Sequence, residues 1–236
     1  IGHIRRSGNI SLKDLTEKSG ISADVTKRLY EKGFLTFVQK EKNRTVSLTS
    51  SITPSKGAIT LNDRQNHVFR EICAQLKKNV FSPVLLHGVT GSGKTEIYLR
   101  AIETVLQNNG SCMYLVPEIA LTPQLISRVA GRFDKDNIAV LHSGIAEAVR
   151  FDQWKQIQRG NIRLVVGTRS ALFAPLPDLK LIIVDEEHDA SYKQDERLCY
   201  NARDLAVMKA KLSDAVVVVG SATPGVRTYY NAQTKK

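Results

Sequence analysis

Cysteine is scarce in this sequence. Three occur in 236 residues, Cys73, Cys112 and Cys199, and they offer neither the CxxC spacing of a zinc knuckle nor the even number of a disulfide framework. The odd count suits a reducing compartment. Long apolar runs are missing as well. Stretches such as Val216–Val219 fall far short of the roughly 20 residues that span a bilayer, and no charged-then-apolar leader opens the chain, so a cytoplasmic setting without a membrane partner is expected. Internal repeats and low-complexity tracts are absent. Acidic residues are few beside basic ones, 23 Asp and Glu against 34 Lys and Arg for a formal charge of +11. That imbalance favours a polyanionic partner over a small acidic metabolite. The 42% of hydrophobic residues is core enough for one large or two modest domains.

What is present is organised around one stretch, Val84-Leu85-Leu86-His87 followed by Gly88-Val89-Thr90-Gly91-Ser92-Gly93-Lys94-Thr95. An apolar strand runs into a glycine-rich turn and then an amphipathic helix, the context in which GxxxxGK[ST] cradles a nucleoside triphosphate. Gly88, Gly91 and Gly93 let the backbone wrap closely, so that consecutive amides, those of Val89, Thr90 and Ser92 included, point at a phosphate. Lys94 supplies a cation for the β- and γ-phosphates and the Thr95 hydroxyl a ligand for Mg²⁺. The helix adds its positive end to the same anion site.

Residues 1–55 hold a disproportionate share of the basic excess, which points to a separate module. Ser11 caps a short helix carrying Leu12 and Leu15 that stops at Ser19-Gly20, and Ser22 caps a second, through Val25, Leu29 and Tyr30, that ends at Gly33. Phe34–Val38 then reads as a strand, Lys40–Arg44 as a charged hairpin tip and Thr45–Leu48 as its return. Helix-turn-helix followed by a basic hairpin is similar to a winged helix. Such domains touch nucleic acid in some proteins and bind other proteins in others, and both roles stay open for the Lys27/Arg28 helix and the Lys40–Arg44 wing. Ile1–Ile4 reads as the tail of a first helix, so this domain is expected to be truncated at its start. Ser50–Gly57 reads as a linker, which sets the domains at 1–55 and 56–236.

Beyond the linker, apolar runs at Val84–His87, Met113–Val116, Ile138–Leu141, Leu164–Val166, Leu181–Val184 and Val216–Val219 alternate with helical periods. The pattern predicts an α/β fold, a parallel sheet covered by helices on both faces, with ligands at the carboxyl ends of the strands. One of those ends discharges into Asp185-Glu186-Glu187-His188. There Asp185 is expected to hold Mg²⁺ through its water shell and Glu186 to orient or deprotonate an attacking water, which with Lys94 makes the catalytic set.

Together, Gly88–Thr95 and Asp185–His188 resemble the Walker A and DExH boxes of superfamily 2 helicases, and this segment their first RecA-like lobe. Leu115–Gln124 resembles motif Ia, Leu141–Gly144 and Gly167–Phe173 the strand-contact motifs that follow, and Gly220–Pro224 motif III. Their wording is similar to that of the bacterial replication-restart helicases of the primosome, whose domain order, a winged helix before the motor lobe, also agrees. The resemblance implies ATP-driven 3′-to-5′ unwinding of DNA at stalled forks with Mg²⁺, and as partners single-stranded and forked DNA, primosome proteins and single-strand-binding proteins. It implies DNA contacts from Pro117, Glu118, Thr122, Thr168, Arg169 and Ser170. It implies a base-stacking ring at Tyr192 in an aromatic-rich loop, and a glutamine, Gln65, that reads adenine. His188, Ser221 and Thr223 are expected to couple nucleotide state to lobe position, the last two by bonding the DExH acids. Amides, hydroxyls and one guanidinium at Gly167–Ser170 suit phosphate oxygens, so DNA binding should be sequence-tolerant.

The family pattern continues into a second lobe with an arginine finger, a cysteine-rich zinc insertion and an upstream domain that captures the 3′ end, and 236 residues hold none of them. The chain therefore reads as a fragment that binds ATP or ADP and DNA but turns over poorly, zinc belonging to the remainder of the parent protein. Three competing classes remain: another superfamily 2 translocase, a DNA-binding module without turnover, and a small-metabolite kinase. The basic charge and Gly167–Phe173 weigh against the kinase.

Overall fold

A computed structural model describes residues 10–36, 60–196 and 198–234. The chain divides into two compact units, residues 1–42 and 43–236.

In the first unit α1 (Leu12–Ser19) is capped by Ser11, whose side chain accepts from the Asp14 amide at 3.1 Å, and is stopped by Gly20 at φ 66°. The second helix, α2 (Ala23–Glu31), follows Ser22 in extended conformation and ends before Gly33. Both helices form where the apolar spacing puts them, although Ser22, at the N-cap position of α2, makes no side-chain capping bond. Phe34–Thr36 form no strand. The rest of the expected wing, together with the leading helix tail Ile1–Ile4, the linker Ser50–Gly57 and the boundary near residue 56, lies outside the described residues.

The second unit opens with α3 (Asp63–Leu76), started by a reciprocal capping box between Asn62 and Gln65. The first strand, β1 (Ser82–His87), leads through the glycine-rich turn to α4 (Lys94–Gln107). Then come β2 (Ser111–Leu115), α5 (Pro123–Ala130), β3 (Ile138–Leu141), α6 (Glu147–Gln158), β4 (Leu164–Gly167) and β5 (Leu179–Val184). A short hairpin, β6 (Lys193–Gln194) with β7 (Tyr200–Asn201), precedes α7 (Ala202–Leu212), β8 (Val216–Ser221) and α8 (Val226–Thr234). Six strands form one sheet in the order β1-β8-β5-β2-β4-β3, and every neighbouring pair in it is parallel.

Strand residues alternate between two cores. Leu181 and Ile183 face the core shared with Ile97, Ile102 and Val105 of α4 and Ile72 of α3. Ile182 and Val184 face the other, with Ala202, Ala206 and Ala210 of α7 and Ile157 of α6. With helices on both sides, the central strands are apolar throughout, which is why β5 reads as an unbroken run. Because all six strands point the same way, the loops after β1, β2, β4, β5 and β8 gather on one edge of the sheet. Among the described residues, no helix is long and apolar enough to cross a membrane.

Candidate functional site

At that edge the turn after β1 folds around glycines. Gly91 and Gly93 stand at φ 77° and 86°, and Gly93 is the N-cap of α4, so the first amides of this helix open onto the turn, where a Cβ at Gly93 would collide with Gln65 Nε2. The turn is pinned at its base, where the Gly88 amide donates to the Ser221 carbonyl at 3.1 Å. It is also held from the side, where the Gln65 Nε2 donates to the Ser92 carbonyl at 2.8 Å while Gln65 Oε1 accepts from the Asn62 amide.

Lys94 is buried in this turn. Its Nζ donates to the Gly88 carbonyl at 2.7 Å and lies 3.6 Å from Glu186 Oε1. The P-loop lysine and the DExH glutamate, separated by four strands of sequence, therefore meet. Thr95 stands half-buried in the first turn of α4. A buried ammonium, the first amides of a helix and a hydroxyl are a donor set whose chemistry suits a polyphosphate. Among the described residues no cluster of three or more His, Cys, Asp or Glu could hold a metal ion. Hard oxygen donors at Thr95 and Asp185 still fit magnesium, which takes most of its ligands from water and phosphate.

Asp185 leaves β5 with its amide bonded to the Leu115 carbonyl at 3.0 Å. Its carboxylate accepts from the Tyr98 phenol at 3.1 Å, the Tyr114 phenol at 3.2 Å and the Glu186 amide at 3.1 Å. Burial raises its pKa, the charge of Glu186 adds to this, and the three donors pull the other way. Glu186 adopts φ 45°, a conformation costly for a side chain with a Cβ, which re-aims its carboxylate toward Lys94. Glu187 turns inward and is buried. It accepts from Arg203 Nη1 at 2.9 Å, the Gly225 amide at 2.6 Å and the Thr228 hydroxyl at 3.2 Å.

Several expected roles are redrawn by these contacts. Tyr192 is 1% exposed, its phenol donating to the carbonyls of Leu115 and Asp185 at 3.1 and 2.6 Å, so its ring is unavailable to a base: the polar loop closes over an apolar floor and the tyrosine fills it. Ser221 Oγ does not bond the DExH acids but shares a 2.8 Å hydrogen bond with His188 Nδ1, and Thr223 joins through its backbone amide, which donates to Ser221 Oγ at 3.0 Å. Thr168 is buried rather than presented. Arg169 is partly exposed, but its Nη1 donates to the carbonyls of Ser191 and Lys193 at 3.2 and 2.7 Å, holding the loop to the hairpin.

On the same edge Glu118 is exposed, Pro117 is buried, and the Thr122 side chain caps α5 by accepting from the Leu125 amide at 3.3 Å. Ser170 is exposed at the head of a 3₁₀ turn, Arg169–Phe173. Residues the sequence reading passed over include Tyr98 and Tyr114, whose phenols nothing in their spacing ties to Asp185. Glu96 is another, buried two positions after Lys94 and bridged to Arg100, Arg128 and Arg132 at 3.3, 3.2 and 2.6 Å. Burial pushes the Glu96 carboxyl up, but Arg132, with Arg100 and Arg128, outweighs it and holds the pKa below the usual carboxylate value. The i,i+4 spacing of Glu96 and Arg100 on α4 was the legible signal for that network; Arg132 joins it from just past the end of α5.

Residues 62–232 match the DEAD/DEAH box helicase family. The chain is similar to Replication restart protein PriA of Bacillus subtilis, with 42% identity over 224 residues, 95% of this chain and 28% of that protein. It is also similar to Replication restart protein PriA of Chlamydia pneumoniae, with 49% identity over 177 residues, 75% of this chain and 24% of that protein. It thus spans about a quarter of the length of these relatives. Among solved structures, RecG bound to a three-way DNA junction aligns with a TM-score of 0.54 at 23% identity over 90% of this chain and 24% of that one. The UvsW helicase of bacteriophage T4 aligns with a TM-score of 0.52 at 16% identity over 92% of this chain and 74% of that one. At such identities the structural likeness is one of fold.

Proposed function

The chain belongs to the DEAD/DEAH box helicase family, and on that premise we propose that it is the first motor lobe of an ATP-dependent 3′-to-5′ DNA helicase acting in replication restart. The observation that supports this most is the meeting of Lys94 with Glu186 at 3.6 Å, at the carboxyl edge of a parallel sheet.

Bound ATP would supply the phosphoryl group to be cleaved, and a magnesium ion the positive charge that stabilises it. The amides of Val89, Thr90, Gly91, Gly93, Lys94 and Thr95 and the positive end of α4 bind the triphosphate tail, those of Gly88 and Ser92 being spent on the carbonyls of Ser221 and Val89, and Lys94 neutralises its outer charge. Thr95 and Asp185 would hold that cation. Glu186 orients the attacking water and takes its proton. Gln65, whose amide has a second Nε2 hydrogen besides the one given to Ser92, reads the adenine edge. The His188–Ser221 bond carries the state of the site into the segment after β8. Glu118, Thr122, Arg169 and Ser170 line the edge along which a DNA backbone passes, Arg169 by keeping the loop in place, while Pro117, being buried, has no part in that surface. Forked and single-stranded DNA are the substrates, and primosome and single-strand-binding proteins the partners, in keeping with the name of the relatives. Zinc is assigned to no residue of this chain, and a bacterial cytoplasm is the setting.

The test is ATP hydrolysis by the full-length protein with and without forked DNA. Strong stimulation is expected, and a rate that ignores DNA would overturn the motor reading. Calorimetry on the chain itself separates the roles within the site. Lys94→Ala should lose about tenfold or more in ATP affinity, the cost of one charged hydrogen-bond donor, while Glu186→Gln retains binding. Equal losses would contradict the assigned roles.

A further inference from the structure

We propose that α7 is a strut coupling the nucleotide site to the strand-contact loop 168–174, with Arg203 and Lys209 as the two positioning residues that grip those sites. The inference rests on the helicase reading above.

The helix is seated for such a part. Ala202, Ala206 and Ala210 are all fully buried, and this row of small side chains brings the α7 backbone close to the sheet. Asn201 caps it, accepting from the Arg203 amide at 3.0 Å. At its first turn Arg203 binds Glu187 at 2.9 Å, and Glu187 holds the Gly225 amide and the Thr228 hydroxyl as well. One buried carboxylate thus joins the DExH turn, the segment after β8 and α7. Losing the arginine would leave that carboxylate short of its counter-charge.

Toward its other end α7 presents Lys209, whose Nζ donates to the carbonyls of Leu172 and Ala174 at 2.7 and 2.8 Å. These carbonyls stand at the end of the 3₁₀ turn Arg169–Phe173 and at its C-cap, where the Ala174 carbonyl also accepts from the Leu176 amide at 3.0 Å. Burial lowers the amine's pKa to about 8. An apolar side chain would fill this place without that cost, and what the amine adds is its hold on the loop. The opposite side of the loop is tied back by Arg169 to Ser191 and Lys193, in the hairpin that runs directly into α7, since Lys193 pairs with Asn201. Loop, hairpin and helix form a closed ring with its remaining anchor at Glu187, one residue from Glu186.

Hydrogen exchange on the whole chain, with and without a non-hydrolysable ATP analogue and Mg²⁺, tests this. In the unaltered protein the analogue should slow exchange both in the P-loop, 88–95, and in the loop 168–174. In Lys209→Gln and in Arg203→Gln the P-loop should respond as before, while the response of 168–174 falls by about twofold to thirtyfold, the range coupling positions span. Arg203→Lys, which keeps a cation on Glu187, should restore it, and the Arg203 pair decides the matter if Lys209→Gln does not fold. A full response of 168–174 in both glutamine variants would overturn the strut. A P-loop without protection in the unaltered protein would instead overturn the nucleotide reading itself.

Discussion

Asp185 sits in surroundings that oppose its own charge. Burial and the neighbouring Glu186 both raise its pKa, and two phenols and an amide only partly compensate. An acid whose proton is held more tightly in the fold than in the open chain makes its ionised form a cost to stability at neutral pH. Asp185→Asn should therefore melt at a higher temperature than the unaltered chain when neither nucleotide nor Mg²⁺ is present, and lose the stabilisation that Mg·ATP gives. A lower melting point in thermal denaturation would show that the phenols more than offset the buried charge. Function kept at the expense of stability is a familiar state of active-site acids. Tyr192 teaches the opposite lesson at this scale. Its place in a polar loop reads as exposure, and only the packing against Leu115 and Asp185 reveals a ring sealed beneath the site.

Elements were far more legible than individual side chains. All six strands of the sheet lie over the apolar runs, Ile138–Leu141 with its bounds unchanged, and for the five other than β1, an edge strand, the reason is that a strand buried on both faces has no alternating polar positions to confuse with a helix. The P-loop and DExH turn were legible for the same reason, each a strand end followed by a change of chemistry. Long-range pairings were not, since nothing local joins α4 to β8. A Cβ at Gly220 would overlap the Tyr98 phenol oxygen and stand 2.9 Å from Cζ of the same ring. Gly220→Ala should cost about 1–3 kcal/mol as an overpacked core site, and Tyr98→Phe in the same chain should recover part of that loss. A double-mutant cycle measures it, and strictly additive losses would place the strain elsewhere. Lys209 supplies a pH signature on α7. Its folded pKa, lowered to about 8, lies below the value of 10.5 for a free lysine, so the unfolded chain binds more protons between those values. Stability should accordingly be constant below pH 8 in this respect and rise from there toward pH 10 relative to Lys209→Met. Chemical denaturation across that range checks it, and a falling difference would reverse the sign.

Across the whole molecule the excess of basic residues, +11 in charge, governs association. Binding of single-stranded DNA should weaken steeply with salt. With about three phosphates neutralised, a logarithmic slope of about −2 or steeper is expected. Titrations over a range of salt that gave a flat line would remove the polyanion from the account. The same excess has no bearing on which way the sheet is wound.

Strand order carries a consequence for how the chain is made. Among the described residues β1 has β8 as its neighbour in the sheet, on pairs running from Ser82↔Val216 to His87↔Ser221, so the earliest strand waits for the latest. During synthesis the glycine-rich turn leaves the ribosome long before the strand that braces it, and distant pairing of this kind is slow to form. Nascent chains halted short of Val216 should carry every glycine of that turn and still fail to retain an ATP analogue.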